Sequence, residues 1–276
     1  MGQRKVGCGV LLALATLATG GCGGHYIITL PDQIAPVGGE TVTVVRLQRN
    51  DFFVLAPAVK EAALRFQIAD GPERGAYTDQ FGYAATTVAV PQRAGRYAMK
   101  VSHLDIYGDE TVKKGRVHVW DPNQPVIAVD MDCLPGMLLG SSAKAAGALR
   151  RLVVGANLLY LTRRGVSRHP KAHGTLARAR YPAGPILTWQ RQRWHIVRDG
   201  RFNLPRVVVE SRLVSQLAEV RKMLPKMTTG VCDSALAAKA FAAAGMKVVM
   251  VGTAAAGVAG EIRRRSSWAD LAAKGP

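Results

Sequence analysis

Cysteine is scarce in this chain, four in 276 residues. Cys8 and Cys22 lie in the N-terminal segment, so Cys133 and Cys232 alone are left to form any internal disulfide. Acidic residues are also few, 19 against 37 Lys and Arg, giving a formal charge of +18. Aromatics are 6% and form no stacking array beside the basic residues, which argues against nucleic acid as the partner. The apolar stretch Val6 to Ala18 is 13 residues long, short for a bilayer span. No low-complexity tract or long repeat is visible. His169, His173 and His195 lack the spacing of a metal site and read as surface or structural residues.

What is present is globular: 48% hydrophobic and 20% charged residues, in a chain long enough for two modest domains. The positive charge is concentrated. Residues 150–226 carry 17 Lys or Arg against Asp199, Glu210 and Glu219, a face that attracts phosphates of any origin. At the N-terminus, Arg4 and Lys5 precede the apolar stretch, and Thr19-Gly20-Gly21-Cys22 follows it. This is the pattern of an export signal over residues 1–21. Small residues before Cys22 resemble a bacterial lipobox, which implies a cell-envelope protein anchored in the membrane through acylated Cys22. Ordinary signal cleavage, leaving a periplasmic or secreted protein, is the alternative.

After a tether (22–30), residues 31–121 read as short strands: Thr41 to Gln48, Leu64 to Asp70, Ala85 to Pro91, Gly95 to Leu104 and Gly115 to Asp121. Strands without helices predict a β-sandwich, and Thr78 to Ala84 with Gly95-Arg96-Tyr97 resembles the repeated turn of bacterial immunoglobulin-like domains. Trp120 to Pro125, with two prolines, has the composition of a linker, placed at 122–125. From 126 to 276 the pattern changes to strands alternating with helices: Val126 to Val129, Ala143 to Val154, Asn157 to Leu161, Ala172 to Arg180, Ile186 to Trp189, Val209 to Met223, Ser234 to Ala244 and Val248 to Val251. That alternation predicts a doubly wound parallel α/β sheet, whose chemistry gathers at the carboxyl ends of the strands.

Four stretches meet that condition: Asp130 and Asp132, Thr162 with Arg163 and Arg164, Arg212 on the late helix, and Cys232-Asp233-Ser234. One carboxylate can attack phosphorus while a second, two residues along, donates a proton to the leaving oxygen. Here the sequence resembles the haloacid dehalogenase superfamily, and within it the catalytic domain of lipin-type phosphatidate phosphatases. The resemblance lies in Val126 to Asp132, Leu158 to Arg164, Tyr181 to Leu187, and Gly230 to Ser234 with Lys239 to Met246, and covers about 126–252. It implies an uncapped phosphomonoester hydrolase with Asp130 as nucleophile, Asp132 as acid and base, and Thr162 and Arg212 on the phosphate. Arg163 and Arg164 would bind substrate, and Mg²⁺ would sit on Asp130, Asp132 and Asp233. An anionic lipid is the implied substrate, met by the basic stretch Arg163 to Lys171, which also reads as a solvated face.

The chain departs from the family pattern at Cys133 and Leu134, where Gly and Thr are usual, at Ala237, where a second acid is usual, and at the usual lysine, for which Arg212 or Arg206 stands. A non-catalytic envelope protein with a retained scaffold is therefore the alternative reading. Cys133 and Cys232 each neighbour a proposed catalytic aspartate, either as small buried residues or as a disulfide or redox-sensitive pair.

Overall fold

The computed structural model describes residues 25–50, 56–135, 141–199, 202–252 and 261–274. Cys8, the signal segment and Cys22 lie outside these residues. The first part of the chain forms eight strands: β1 (His25–Thr29), β2 (Gln33–Pro36), β3 (Glu40–Asn50), β4 (Ala63–Ile68), β5 (Arg74–Tyr77), β6 (Tyr83–Ala89), β7 (Gly95–Leu104) and β8 (Glu110–Trp120). They divide into a three-stranded sheet, β1-β3-β6, and a five-stranded sheet, β2-β8-β7-β4-β5. Alternation explains the packing: in β3 Thr41, Thr43, Val45 and Leu47 face inward, and Val45 and Leu47 share one buried cluster with Leu64, Phe66, Met99, Val101 and Val117 of the other sheet.

Residues 126 onward contribute β9 (Val126–Asp130), α1 (Ser141–Leu152), β10 (Asn157–Thr162), α2 (His169–Arg178), β11 (Ile186–Thr188), β12 (Gln190–Asp199), β13 (Phe202–Ser211), α3 (Leu213–Met223), β14 (Met227–Cys232), α4 (Ala235–Ala243), β15 (Lys247–Val251), β16 (Ile262–Arg265) and α5 (Trp268–Lys274). Six of these strands form a sheet in the order β11-β10-β9-β14-β15-β16, with every neighbouring pair parallel. One core holds Leu217 of α3 and Phe241 of α4; another holds Leu149 of α1, Leu176 of α2 and Leu271 of α5. Two glycines make close approaches possible. A Cβ on Gly230 would stand 2.4 Å from the Phe241 ring, and one on Gly184 would stand 2.4 Å from the Leu158 carbonyl oxygen. The Gly184 segment is fastened to β10, since the Tyr160 hydroxyl donates to the Pro182 carbonyl and the Tyr160 N–H to that of Pro185.

The expected fold class, a doubly wound α/β domain behind a separate immunoglobulin-like sandwich, is corrected by this architecture. The described residues are mostly β: sixteen strands in four sheets against five α-helices. The stretch expected to begin a helix at Val209 is instead one arm of a long ribbon, in which β12 pairs antiparallel with β13 from Gln190↔Ser211 to Asp199↔Phe202. The β-branched run Val207-Val208-Val209 suits a strand, and α3 starts only at Leu213. The N-terminal strands also do not enclose a core of their own alone. Ile34 and Trp120 pack into the same cluster as Leu217 and Phe241, and the Asp32 carboxylate accepts hydrogen bonds from His173 Nε2 at 2.6 Å and the Ile186 N–H at 2.9 Å.

Candidate active site

Every residue of β9 is buried, between β10 and β14. Asp130 closes the strand opposite Leu161, and the Val231↔Val129 register brings the end of β14 alongside. The chain then turns through a short 3-10 segment, Met131–Cys133, capped by Asp130, whose Oδ1 accepts from the Asp132 N–H at 3.1 Å. That bond also aims Asp132. Its carboxylate accepts from the Thr162 hydroxyl (3.1 Å), the Arg163 N–H (2.9 Å) and Arg163 Nε (3.4 Å), and lies 3.5 Å from Arg164 Nε. Thr162, at the end of β10, is fully buried, and its oxygen accepts from the Arg164 N–H. The structure therefore brings Asp130, Asp132, Thr162, Arg163 and Arg164 together at the ends of β9 and β10.

Asp233 follows β14, just before Ser234, whose hydroxyl caps α4 by accepting from the Ala237 N–H. Burial raises the Asp130 pKa to about 6, with the negative charges of Asp132 and Asp233 adding to the rise while the Asp132 N–H and Arg163 oppose it. Burial also raises Asp233, with Arg163 opposing and Asp132 reinforcing. Two buried thiols complete the surroundings. Burial first, and Asp130 next, lift Cys133 far above the ordinary thiol range and Cys232 to about 12. Both are free and protonated, the small buried residues of the two readings given above.

In front of Asp132 opens a cavity of about 600 Å³ lined by Asp132, Arg163, Arg164, Gly165, Ser167 and Arg168. Its guanidinium groups suit an anion with several oxygens. Arg168 belongs to this lining as well; the sequence offers it only as part of the basic stretch Arg163 to Lys171, not as a site residue of its own. Arg212 is not on the late helix but immediately before it, where its N–H donates to the Trp189 carbonyl. Arg206 lies in β13, where side chains are outside the described residues.

Of the two readings of His169 and His173, surface or structural, the structure supports the structural one. His169 Nε2 is 2.7 Å from the Thr188 hydroxyl, which donates to the Arg164 carbonyl, so the imidazole N–H steadies the loop that bears the arginines. Burial holds His169 down to about 4, and its buried Nδ1 has no hydrogen-bond partner, both in keeping with a neutral ring. No sequence signal pairs His173 with Asp32, because the two lie in different halves of the chain.

Among the described residues no group of three or more His, Cys, Asp or Glu side chains is arranged to hold a metal. Asp132 is turned toward the arginines, which leaves Asp130 and Asp233 as the available carboxylates.

No family model and no curated protein matches the chain. Among solved structures, it resembles a carbohydrate acetylesterase from Xanthomonas citri at 12% identity and TM-score 0.29, over 71% of this chain and 37% of that one. It resembles a 2,6-sialyltransferase from Photobacterium at 11% and 0.23, over 80% and 41% respectively. It resembles a CARDB domain from Pyrococcus furiosus at 10% and 0.22, over 34% and 88%. The chain thus spans well under half the length of both enzymes, and likenesses this slight carry no argument about its activity.

Proposed function

We propose that this protein hydrolyses phosphomonoesters through an aspartyl-phosphate on Asp130. The observation that carries the reading is a buried strand-end carboxylate beside an Asp132 that is itself held by the arginines of an open anion-sized cavity. Asp130 Oδ1 is engaged by the Asp132 N–H, so Oδ2 is the atom that attacks. An Oδ2–P bond forms and the P–O bond to the alcohol breaks, with Asp132 supplying the proton that the leaving oxygen takes up. Water then attacks the acyl phosphate, Asp132 accepts its proton, and inorganic phosphate departs. Arg163, Arg164 and Arg168 hold the phosphate oxygens, and Thr162 keeps Asp132 aimed. Mg²⁺, when bound by Asp130 and Asp233, would neutralise phosphate charge. Arg212 has no part in this scheme, since the cavity supplies its own cations.

Asp130→Asn should reduce Mg²⁺-dependent turnover of an aryl phosphate to background while leaving the fold intact. Unchanged activity would mean that another group is the nucleophile. The substrate panel includes phosphatidate in vesicles as well as soluble phosphomonoesters, because the lipid reading rests on the sequence resemblance and the basic stretch Arg163 to Lys171. A non-catalytic role is the second reading, favoured by one observation: donors already fill the Asp132 carboxylate. A wild-type chain inert across the panel would establish it.

A further inference from the structure

Arg164 and Arg168 stand on a loop whose backbone is held from beneath. The Arg164 N–H donates to the Thr162 hydroxyl at 3.1 Å, and its carbonyl accepts from the Thr188 hydroxyl at 2.9 Å. Thr188 in turn accepts from His169 Nε2 at 2.7 Å, a bond made by a buried imidazole. Arg168 immediately precedes His169, the first residue of α2, and its N–H donates to the Gly165 carbonyl. The seats of both guanidiniums therefore depend on how the start of α2 lies against the end of β11.

A second clasp joins the same two elements a step further from the cavity. His173 follows His169 by one turn of α2, so the two imidazoles share a face of the helix, and Ile186 precedes Thr188 by two residues on β11. His173 and Ile186 meet through a single atom: Asp32 Oδ2 accepts from His173 Nε2 at 2.6 Å and from the Ile186 N–H at 2.9 Å. Asp32 is buried, comes from the connection between β1 and β2 of the sandwich, and is not part of the cavity wall. Without that oxygen two buried donors would lack an acceptor, a penalty relieved only by letting α2 and β11 shift or by admitting water between them.

We propose, on the reading of that cavity as the phosphate site, that Asp32 is a positioning residue for it: through one carboxylate oxygen the sandwich sets the spacing of α2 from β11, and so the reach of Arg164 and Arg168 toward a bound phosphate. Guanidinium groups grip phosphate oxygens in a narrow range of geometry, and a displacement of about 1 Å is enough to weaken such a grip strongly. The strands before residue 122 thereby take part in anion binding without touching the anion, and the contact between the two halves of the chain acquires a role beyond stability.

The test is the affinity of the full chain for inorganic phosphate, measured by calorimetry at a temperature where circular dichroism shows each variant folded. Asp32→Ala removes both bonds and should weaken phosphate binding about tenfold or more. Asp32→Asn, whose amide oxygen can stand in for Oδ2, keeps both acceptor bonds and should bind within about twofold of the unmodified chain. His173→Phe keeps a ring and loses one bond, so it should weaken binding in the same direction, and it decides the matter if Asp32→Ala does not fold. Thr188→Val breaks the other clasp, and combining it with His173→Phe should cost less than the product of the single effects, since both act on one loop. Unchanged phosphate affinity in folded Asp32→Ala or His173→Phe overturns the proposal, as does equal loss in Asp32→Ala and Asp32→Asn. An unmodified chain that binds no phosphate overturns the reading of the cavity and this proposal together. Binding that depends on Asp32 in a chain that hydrolyses no phosphomonoester supports the positioning role and overturns the catalytic reading alone.

Discussion

Asp130 combines two demands that pull in opposite directions. A nucleophile must be ionised, yet burial and the charges of Asp132 and Asp233 favour its protonated form up to about pH 6. In the protein without added metal, Asp130 should titrate near 6, followed by the chemical shift of its carboxyl carbon, and a midpoint near the ordinary aspartate value of 3.8 would show that the carboxyl is not desolvated. The same shift has a sign for stability. A carboxyl whose pKa is raised on folding destabilises the native state once pH exceeds the unfolded value, and the full cost is present above the folded one. Asp130→Asn should therefore stabilise the protein at neutral pH by about 2 to 3 kcal/mol, from a shift of about two pKa units. The gain should vanish below pH 3.8, as read by urea denaturation at both pH values; equal stability of the two chains at neutral pH would show that the carboxylate is not desolvated. Asp130 and Asp132 were legible because a charged pair closes a run of apolar strand residues. Asp32 was not: no local pattern announces a carboxylate whose partners, His173 and the Ile186 N–H, lie in the other half of the chain.

That pairing belongs to the element scale, where it fixes the β1–β2 corner to α2 and β11. Burial pushes the Asp32 carboxyl up, but the His173 hydrogen bond, the Ile186 N–H and nearby imidazole charge outweigh it and hold the group below its ordinary value. Its contribution is present above pH 3.8 and is lost as pH falls through the lowered folded value. Asp32→Ala should cost about 3 kcal/mol by leaving buried donors unpaired, and adding His173→Ala should cost much less than the sum of the single changes. Additive losses in a denaturation cycle would mean that the two residues act separately. Gly230 tests packing in the same sheet. The Phe241 ring occupies the space of a Cβ, so Gly230→Ala should destabilise by about 1 to 3 kcal/mol, measured by the same method. Strands with clean alternation were readable, and β7 runs from Gly95 to Leu104 as predicted. The β12–β13 ribbon was not, because Pro205 interrupts its pattern and Val209 adjoins a true helical repeat. β16 (Ile262–Arg265) was missed because three consecutive arginines give an edge strand no apolar face.

At the scale of the whole molecule, the shared core governs how the chain unfolds. A change of pattern near residue 122 reads as a boundary between independent units, and the two prolines there encourage that reading. Yet Trp120, only 7% exposed, and Ile34 are buried among side chains of α3, α4 and the parallel sheet, and Asp32 ties the same corner to α2. Separating the halves would expose those apolar surfaces and leave the Asp32 contacts unmade, so neither half can unfold without destabilising the other. The four tryptophans lie at 120, 189, 194 and 268, none of them within the first seven strands, whereas far-ultraviolet circular dichroism samples the strands of both halves. In urea the two signals should fall together in a single transition with one midpoint. Trp120→Ala, which removes the largest side chain bridging the junction, should separate them, the dichroism acquiring a second phase that fluorescence lacks. Two midpoints already present in the unmodified chain would show that the contacts through Ile34, Trp120 and Asp32 are too weak to couple the halves, and that the boundary read at residue 122 also divides the folding units.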